Sequence, residues 1–377
     1  MKKVIIRKTE EIENWRKNIN NEINFIPTMG NLHRGHIKLI STAKNDNNNV
    51  NLVSIFINPL QFDNKLDLEN YPKTIDNDIK ISFSNGADAI FIPSNEDIYP
   101  PNNKNIKFLK APIELSSALC GLNRIGHFDG VCTVVYRLLN LIKPKNLYLG
   151  EKDWQQLLIL KNLVLRKKLN VAIKSIPTQR DFDGIPLSSR NVHLSKNERK
   201  LIGFFSSELL EAKKKFQQDK KINLNQIIKK LSAKKISIEY LEHLHPHTLQ
   251  KARPKDNISL LAGAIRCGET RLIDHVFLMK RRPIIAIDGP AGSGKSTVTK
   301  LIAKKLKLLY LDTGAMYRAL SWLILKENID YKKEKKLQNI FKDISIVFKS
   351  NTNSHQDVYI NNYCVTEEIR SQKISCI

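Results

Sequence analysis

The chain has 377 residues, with 62 Lys and Arg against 37 Asp and Glu, a net charge of +25, 41% hydrophobic and 26% charged residues. This length predicts two or three domains of ordinary globular composition. No run approaches the roughly eighteen apolar residues of a membrane span, and the start MKKVIIRKTEEIENW turns polar before any secretory h-region, so a cytoplasmic protein without a membrane partner is expected.

Five cysteines stand at 120, 132, 267, 364 and 376, with no C-x-x-C pair, and read as reduced, mostly buried thiols rather than a disulfide or zinc framework. The positive charge invites a nucleic-acid reading through phosphate neutralisation. The lysines, however, are spread along the chain with no stripe of interleaved aromatics. A solvated basic surface that attracts acidic small molecules, with no nucleic-acid partner, is the stronger reading.

In chain order, INFIPT (23–28) reads as a strand and HIKLISTAK (36–44) as a helix. NLVSIFI (51–57), AIFIPS (89–94) and KNLYLG (145–150) read as strands, DWQQLLILKNLVLRKKL (153–169) as an amphipathic helix, and VAIKSIP (171–177) as a strand. This alternation predicts a Rossmann-like, doubly wound parallel sheet over 1–180, whose ligands gather at the carboxyl ends of the strands. From about 195 the texture changes. Two helical stretches (195–218 and 223–234) precede strand-like 236–245 and 257–278, which predicts a small α+β subdomain over 181–280. At RRPIIAIDGPAGSGKST a new apolar strand runs into a glycine loop, predicting a partial P-loop α/β domain over 281–377.

The stretch FIPTMGNLHRGHIKLI carries the sharpest local signal. Gly30 lets the chain turn after a strand, and Gly35 is expected to leave room for a flat ligand against the backbone. His33 and His36, three apart, share one face of the first helical turn, where unpaired N–H groups attract phosphate. Later stretches add Lys152 in LGEKDWQQ and Ser188, Ser189 and Arg190 in GIPLSSRN, the donors a triphosphate needs. Gln61 in SIFINPLQF and Gln156 are neutral amides suited to a small polar substrate.

PTMGNLHRGH, SIFINPLQF, RIGHFDGV, LGEKDWQQL and LSSRN, in this order over roughly 1–280, together resemble pantothenate synthetase, a nucleotidyltransferase with an H-x-G-H signature. The resemblance implies a two-step ligase. Pantoate attacks the α-phosphorus of Mg-ATP to give pantoyl adenylate, and β-alanine then takes the acyl group, releasing AMP. It implies ATP and Mg²⁺ as cofactors and a homodimer. It also implies an ATP site of Met29, Gly30, Asn31, Leu32, His33, Arg34, Gly35 and His36, with His36 as catalytic proton donor. Gly150, Glu151, Lys152, Asp153, Gln179, Leu187, Ser188, Ser189 and Arg190 complete it. Gln61 is implied to bind pantoate and β-alanine, and Gln156 pantoate. An aminoacyl-tRNA-synthetase-like adenylating enzyme is the alternative, because it shares the histidine signature; a basic nucleic-acid binder is the other.

Gly289-x-x-x-x-Gly294-Lys295-Ser296-Thr297 is a P-loop: backbone N–H groups cradle phosphates, Lys295 reaches the outer ones and Ser296 can hold Mg²⁺. With LLYLDTGAMYRAL it resembles the start of bacterial cytidylate kinase, with CMP as acceptor. About 95 residues of that pattern are present, without the later arginine-rich lid that stabilises a moving phosphoryl group. A fusion of the two enzymes with a shortened kinase part is therefore expected, with no measurable phosphorylation of CMP.

Overall fold

The computed structural model describes residues 3–46, 48–63, 65–101, 107–268, 270–281, 284–290, 292–306, 308–329, 344–350, 356–371 and 374. It falls into two compact units, Met1–Arg281 and Arg282–Ile377.

The first unit is built on six parallel strands: β1 (Val4–Ile6), β2 (Ile23–Thr28), β3 (Val50–Ile55), β4 (Ala89–Phe91), β5 (Asn146–Gly150) and β6 (Ala172–Ile176), in the order β1-β4-β3-β2-β5-β6. Strands β2 and β3 are buried almost throughout, which is why they read as continuous apolar runs rather than alternating ones. Phe25, Ile26, Leu52 and Val53 are fully buried. Each contributes about 1.5–3 kcal/mol of apolar burial.

From β2 the chain builds outward through β3 to β4, then returns to the other side of β2 for β5, pairing Asn24 with Asn146 and Phe25 with Leu147. The direction of winding therefore reverses between β2 and β5. A crevice opens outside the carboxyl ends of adjacent strands at such a reversal. Helix His127–Ile142 packs beneath it, with most of its residues buried and Asp129, Tyr136, Arg137 and Asn140 left on its outer face.

The subdomain is an antiparallel sheet of β7 (Ser237–Leu244), β8 (Ile258–Cys267) and β9 (Thr270–Met279), covered by helices Lys196–Asp219 and Leu224–Ala233. The strand-like run 257–278 is thus two strands, because Gly268, at φ +56°, reverses the chain. The subdomain is tied to the segment leading into 187–190. The Arg180 guanidinium grips the buried Asp274 carboxylate through two bonds of 2.7 Å and donates to the Gly184 carbonyl at 2.9 Å.

The second unit contains helices Lys295–Leu306 and Thr313–Lys326 and an antiparallel sheet of Ile346–Ser350, Gln356–Ile360 and Tyr363–Cys364. The strand expected before its glycine loop is not formed: residues 284–290 are irregular, with no ladder partner among the described residues. Cys120, Cys132 and Cys267 are buried free thiols, Cys364 is an exposed one, and Cys376 lies outside the described residues.

Candidate active site

A cavity of about 280 Å³ opens at the carboxyl ends of β2 and β5. It is lined by Met29, His33, Gly35, His36, Gln61, Gly150, Lys152, Asp153, Gln156, Gln179 and Leu187 to Arg190, together with residues no motif singled out. Positions scattered between 29 and 190 in the sequence thus meet around one space.

The histidine turn forms for local reasons. Gly30 (φ +87°) and Asn31 (φ +50°) both take left-handed conformations, which glycine and asparagine tolerate best. His33 then caps helix Arg34–Lys44: its Nδ1 accepts the Gly35 N–H at 3.0 Å, while Nδ1 of His36 accepts the His33 N–H at 3.3 Å. A backbone N–H can only donate, so both Nδ1 atoms are unprotonated and each ring carries its proton on Nε2. Burial pushes His33 down to about 4, helped by the Lys152 charge, and pushes His36 down to about 3. Both are therefore neutral imidazoles with an N–H donor, stacked at 4.1 Å between ring centres. A Cβ at Gly35 would lie 2.7 Å from Cε1 of His33, so any larger residue would collide with the capping ring, and the glycine itself lines the cavity.

Leu187 to Arg190 is laced onto this turn. Asn31 donates through Nδ2 to the Ser189 carbonyl at 2.9 Å, and the Ser189 hydroxyl donates to the Asn31 carbonyl at 3.1 Å. Arg190 pairs with Asp67 at 2.8 Å and lies over the Tyr71 ring. Opposite, Lys152 reaches Asp153 at 3.4 Å. Burial alone would raise the Asp153 carboxyl; Lys152, with Arg190 behind it, outweighs that and holds it below the ordinary carboxylate value.

Five of the expected residues lie outside the lining. Gly30 and Asn31 shape the turn, and Leu32 is buried in the core beside β2. Arg34 points to solvent and pairs with Asp181, and Glu151 accepts from the Ser175 hydroxyl at 2.8 Å.

The two amides are held in different ways. Gln156 lines the cavity, while its neighbour Gln155 is buried and satisfied by the Cys120 N–H and the Leu115 and Ala118 carbonyls. Gln61 ends a short turn, Pro59–Gln61, that docks on helix His127–Ile142 at Gly130. Asn58 Nδ2 donates to Oε1 of Gln61 at 3.2 Å and to the Gly130 carbonyl at 3.1 Å, and Tyr99 donates to Asn58 Oδ1 at 2.8 Å. The amide oxygen of Gln61 is thereby occupied, and its Nε2 donates to the Met29 sulfur at 2.7 Å, a weak acceptor that a substrate oxygen can replace.

Sequence reasoning missed several members of the site. His127 and Arg124 both donate to the Gln61 carbonyl, at 2.6 and 3.1 Å; RIGHFDGV contained both, but neither was given a role. Burial, then Arg124, pushes His127 down to about 4, so it too is neutral. Ser54 lines the cavity with a buried hydroxyl that has no partner among the described residues. Asn58 stands in SIFINPLQF but was given no role, and Tyr71, along with Asp78 behind the lining, carried no motif at all. Among the described residues no three His, Cys, Asp or Glu side chains converge as a metal cluster.

In the second unit, Gly292 (φ +76°) and Gly294 (φ +81°) shape the loop that opens helix Lys295–Leu306, of which Ser296 and Thr297 form the first turn. The Lys295 ammonium donates to the Gly289 and Pro290 carbonyls, curling back over the loop. Asp312 caps the next helix, accepting the Ala315 N–H at 3.0 Å.

A parallel sheet with a His-x-Gly-His helix start at its winding reversal is the architecture of a Rossmann-like nucleotidyltransferase. Comparison with known proteins makes this particular. The family model of pantoate-beta-alanine ligase matches residues 4–277, and that of cytidylate kinase residues 285–377. A "bifunctional pantoate ligase/cytidylate kinase" of Prochlorococcus marinus (strain MIT 9215) is 95% identical over 377 residues, all of this chain and 74% of that protein. Another, of Prochlorococcus marinus (strain NATL1A), is 47% identical over 378 residues, covering 100% of this chain and 73% of its own length. The pantoate-beta-alanine ligase of Francisella tularensis, solved with beta-gamma ATP and beta-alanine, is 38% identical with a TM-score of 0.63, over 74% of this chain and 98% of that one. A pantothenate synthetase from Thermus thermophilus is 32% identical with a TM-score of 0.66, over 73% of this chain and 99% of that one. The chain belongs to the pantoate-beta-alanine ligase family, fused to a cytidylate kinase unit, and is an enzyme.

Proposed function

We propose that the first unit condenses pantoate with β-alanine at the expense of ATP, through the residues that line the cavity. In the first step a pantoate carboxylate oxygen attacks the α-phosphorus. The bond from that phosphorus to the bridging oxygen breaks, and pyrophosphate leaves. In the second, the β-alanine amine attacks the acyl carbon, the bond to AMP breaks and the amine loses a proton. The observation that carries this reading is the pair of neutral imidazoles at a helix N-terminus, facing Lys152 and the Ser188–Arg190 loop across one cavity.

The Nε2–H donors of His33 and His36 are placed to stabilise charge as it develops on the α-phosphate; as neutral groups they donate hydrogen bonds without needing to release a proton. Lys152 and Arg190 balance the charge of the departing pyrophosphate. The Nε2 of Gln61 exchanges the weakly accepting Met29 sulfur for an acceptor oxygen of pantoate, and Gln156 takes a second polar group of the same substrate. No nucleophilic side chain is required; orientation and exclusion of water from the acyl adenylate supply the catalysis.

Magnesium fits as an ion carried on the triphosphate, in keeping with a donor set of imidazoles, lysine and arginine rather than clustered carboxylates. In the second unit the P-loop residues Gly289 to Thr297 would cradle nucleotide phosphates, with Ser296 as the hydroxyl that meets such an ion and CMP as the acceptor. No helix of the described residues is long and apolar enough to cross a membrane, and we place the enzyme in the cytoplasm as a homodimer. Sedimentation equilibrium tests the dimer.

The deciding experiment is ATP–pyrophosphate exchange with pantoate, compared with a panel of amino acids. Exchange with pantoate alone is expected, and exchange driven by an amino acid overturns the reading. His36→Ala should lower pantoate-dependent exchange by roughly 10²–10³, with a smaller effect on pantothenate formation from supplied pantoyl adenylate.

A further inference from the structure

Asp78 belongs to no motif and does not line the cavity, yet it is fully buried directly behind the histidine turn. It sits in the first turn of helix Ile75–Ser84. Oδ2 accepts the Asn31 N–H at 2.9 Å and Oδ1 accepts the Leu32 N–H at 2.8 Å. The Thr74 hydroxyl donates to Oδ2 at 3.1 Å. A Cβ at Gly30 would stand 3.0 Å from the same Oδ2, so the carboxylate is pressed against the turn.

We infer that Asp78 is a positioning residue for the nucleotide: its carboxylate fills the anion-binding concavity made by the Asn31 and Leu32 N–H groups and so sets where His33 and His36 meet the phosphates. Two successive N–H groups turned to one side by left-handed residues bind anions. Here the protein supplies that anion itself. The two N–H groups are thereby withdrawn from the substrate, and the phosphate is left the helix N-terminus and the two imidazoles. A carboxylate is required because two parallel donors need two acceptor oxygens; an amide offers one acceptor and turns its NH₂ against the other donor. The buried charge is tolerable because three donors and the N-terminus of its own helix face it.

The inference rests on the cavity being the nucleotide site, and the test keeps the two apart. Pantoate-dependent ATP–pyrophosphate exchange is measured with the full chain while ATP and pantoate are varied separately. Asp78→Asn should raise the KM for ATP by roughly ten- to a hundredfold, because a displaced turn misplaces both imidazoles, while the KM for pantoate stays within about threefold. A residue that only supports stability would lower the active fraction and leave both KM values alone. Thr74→Val should move the ATP KM in the same direction by roughly two- to fivefold, and Thr74→Ser should restore it. An unchanged ATP KM in Asp78→Asn, or equal rises for both substrates, overturns the positioning role. Should Asp78→Asn not fold, the Thr74 pair decides in the same way. If the parent chain shows no pantoate-dependent exchange, it is the proposed activity that fails.

Discussion

Replacing Gly130 by alanine sets two physical effects against each other. Gly130 lies inside helix His127–Ile142, where propensity alone predicts a gain of about 0.5–1 kcal/mol from alanine. The packing predicts the opposite. A Cβ at this position would lie 2.1 Å from the Leu60 carbonyl oxygen, 2.4 Å from the Leu60 carbonyl carbon and 2.8 Å from the Gln61 nitrogen. Real contacts of this kind begin near 3.0 Å, so the Pro59–Gln61 turn must retreat by about 0.9 Å. It cannot do so freely: Asn58 holds it to the Gly130 carbonyl, and His127 and Arg124 both donate to the Gln61 carbonyl. Overpacking of a fixed contact costs about 1–3 kcal/mol. The net loss of about 1–2 kcal/mol should lower the melting temperature of this unit by roughly 2–8 °C. Gln61 moves with its turn, so the KM for pantoate in the exchange assay should rise by roughly ten- to a hundredfold while the ATP KM changes little. A Gly130→Ala variant that melts higher than the parent and keeps its pantoate KM would refute the reasoning.

Three further outcomes follow from the site. Gln156→Ala should raise the pantoate KM with stability unchanged; Gln155→Ala should instead lower stability by about 1–3 kcal/mol, because it strands two buried carbonyls and an N–H. An unchanged pantoate KM in Gln156→Ala makes that amide a bystander. His33 and His36 should keep neutral-ring NMR shifts from pH 8 down to about 5, titrating only toward about 4 and about 3. Because these folded values lie below the unfolded one, their contribution to stability is full above about 6.5 and is lost as the pH falls toward 4; a midpoint near 6.5 for either ring contradicts the buried, capped geometry. In the second unit, Lys295→Ala should lower the number of ATP molecules the full chain binds in equilibrium dialysis while pantoate-dependent exchange stays unchanged; an undiminished number would show that the P-loop holds no nucleotide.

The sequence by itself was enough for the chemistry that is local. A histidine pair at a helix start after an apolar strand, a lysine after β5, a serine–arginine loop and a P-loop each depend on residues within about ten positions, and each could be read as donors for phosphate. The alternation of strands and helices likewise announced a parallel sheet. Tertiary structure decided what depends on distant neighbours. Gln155 and Gln156 are the same residue type side by side; only packing against Leu115 and Ala118 makes one structural and leaves the other facing the cavity. That Gly35 must also make way for the capping ring of His33 depends on where that ring packs. The apolar run before the P-loop read as a strand, yet a strand is a pairing and not a composition, and residues 284–290 find no partner among the described residues. Asp78 gave no signal at all, because its meaning comes from two N–H groups that approach it from 46 and 47 residues away.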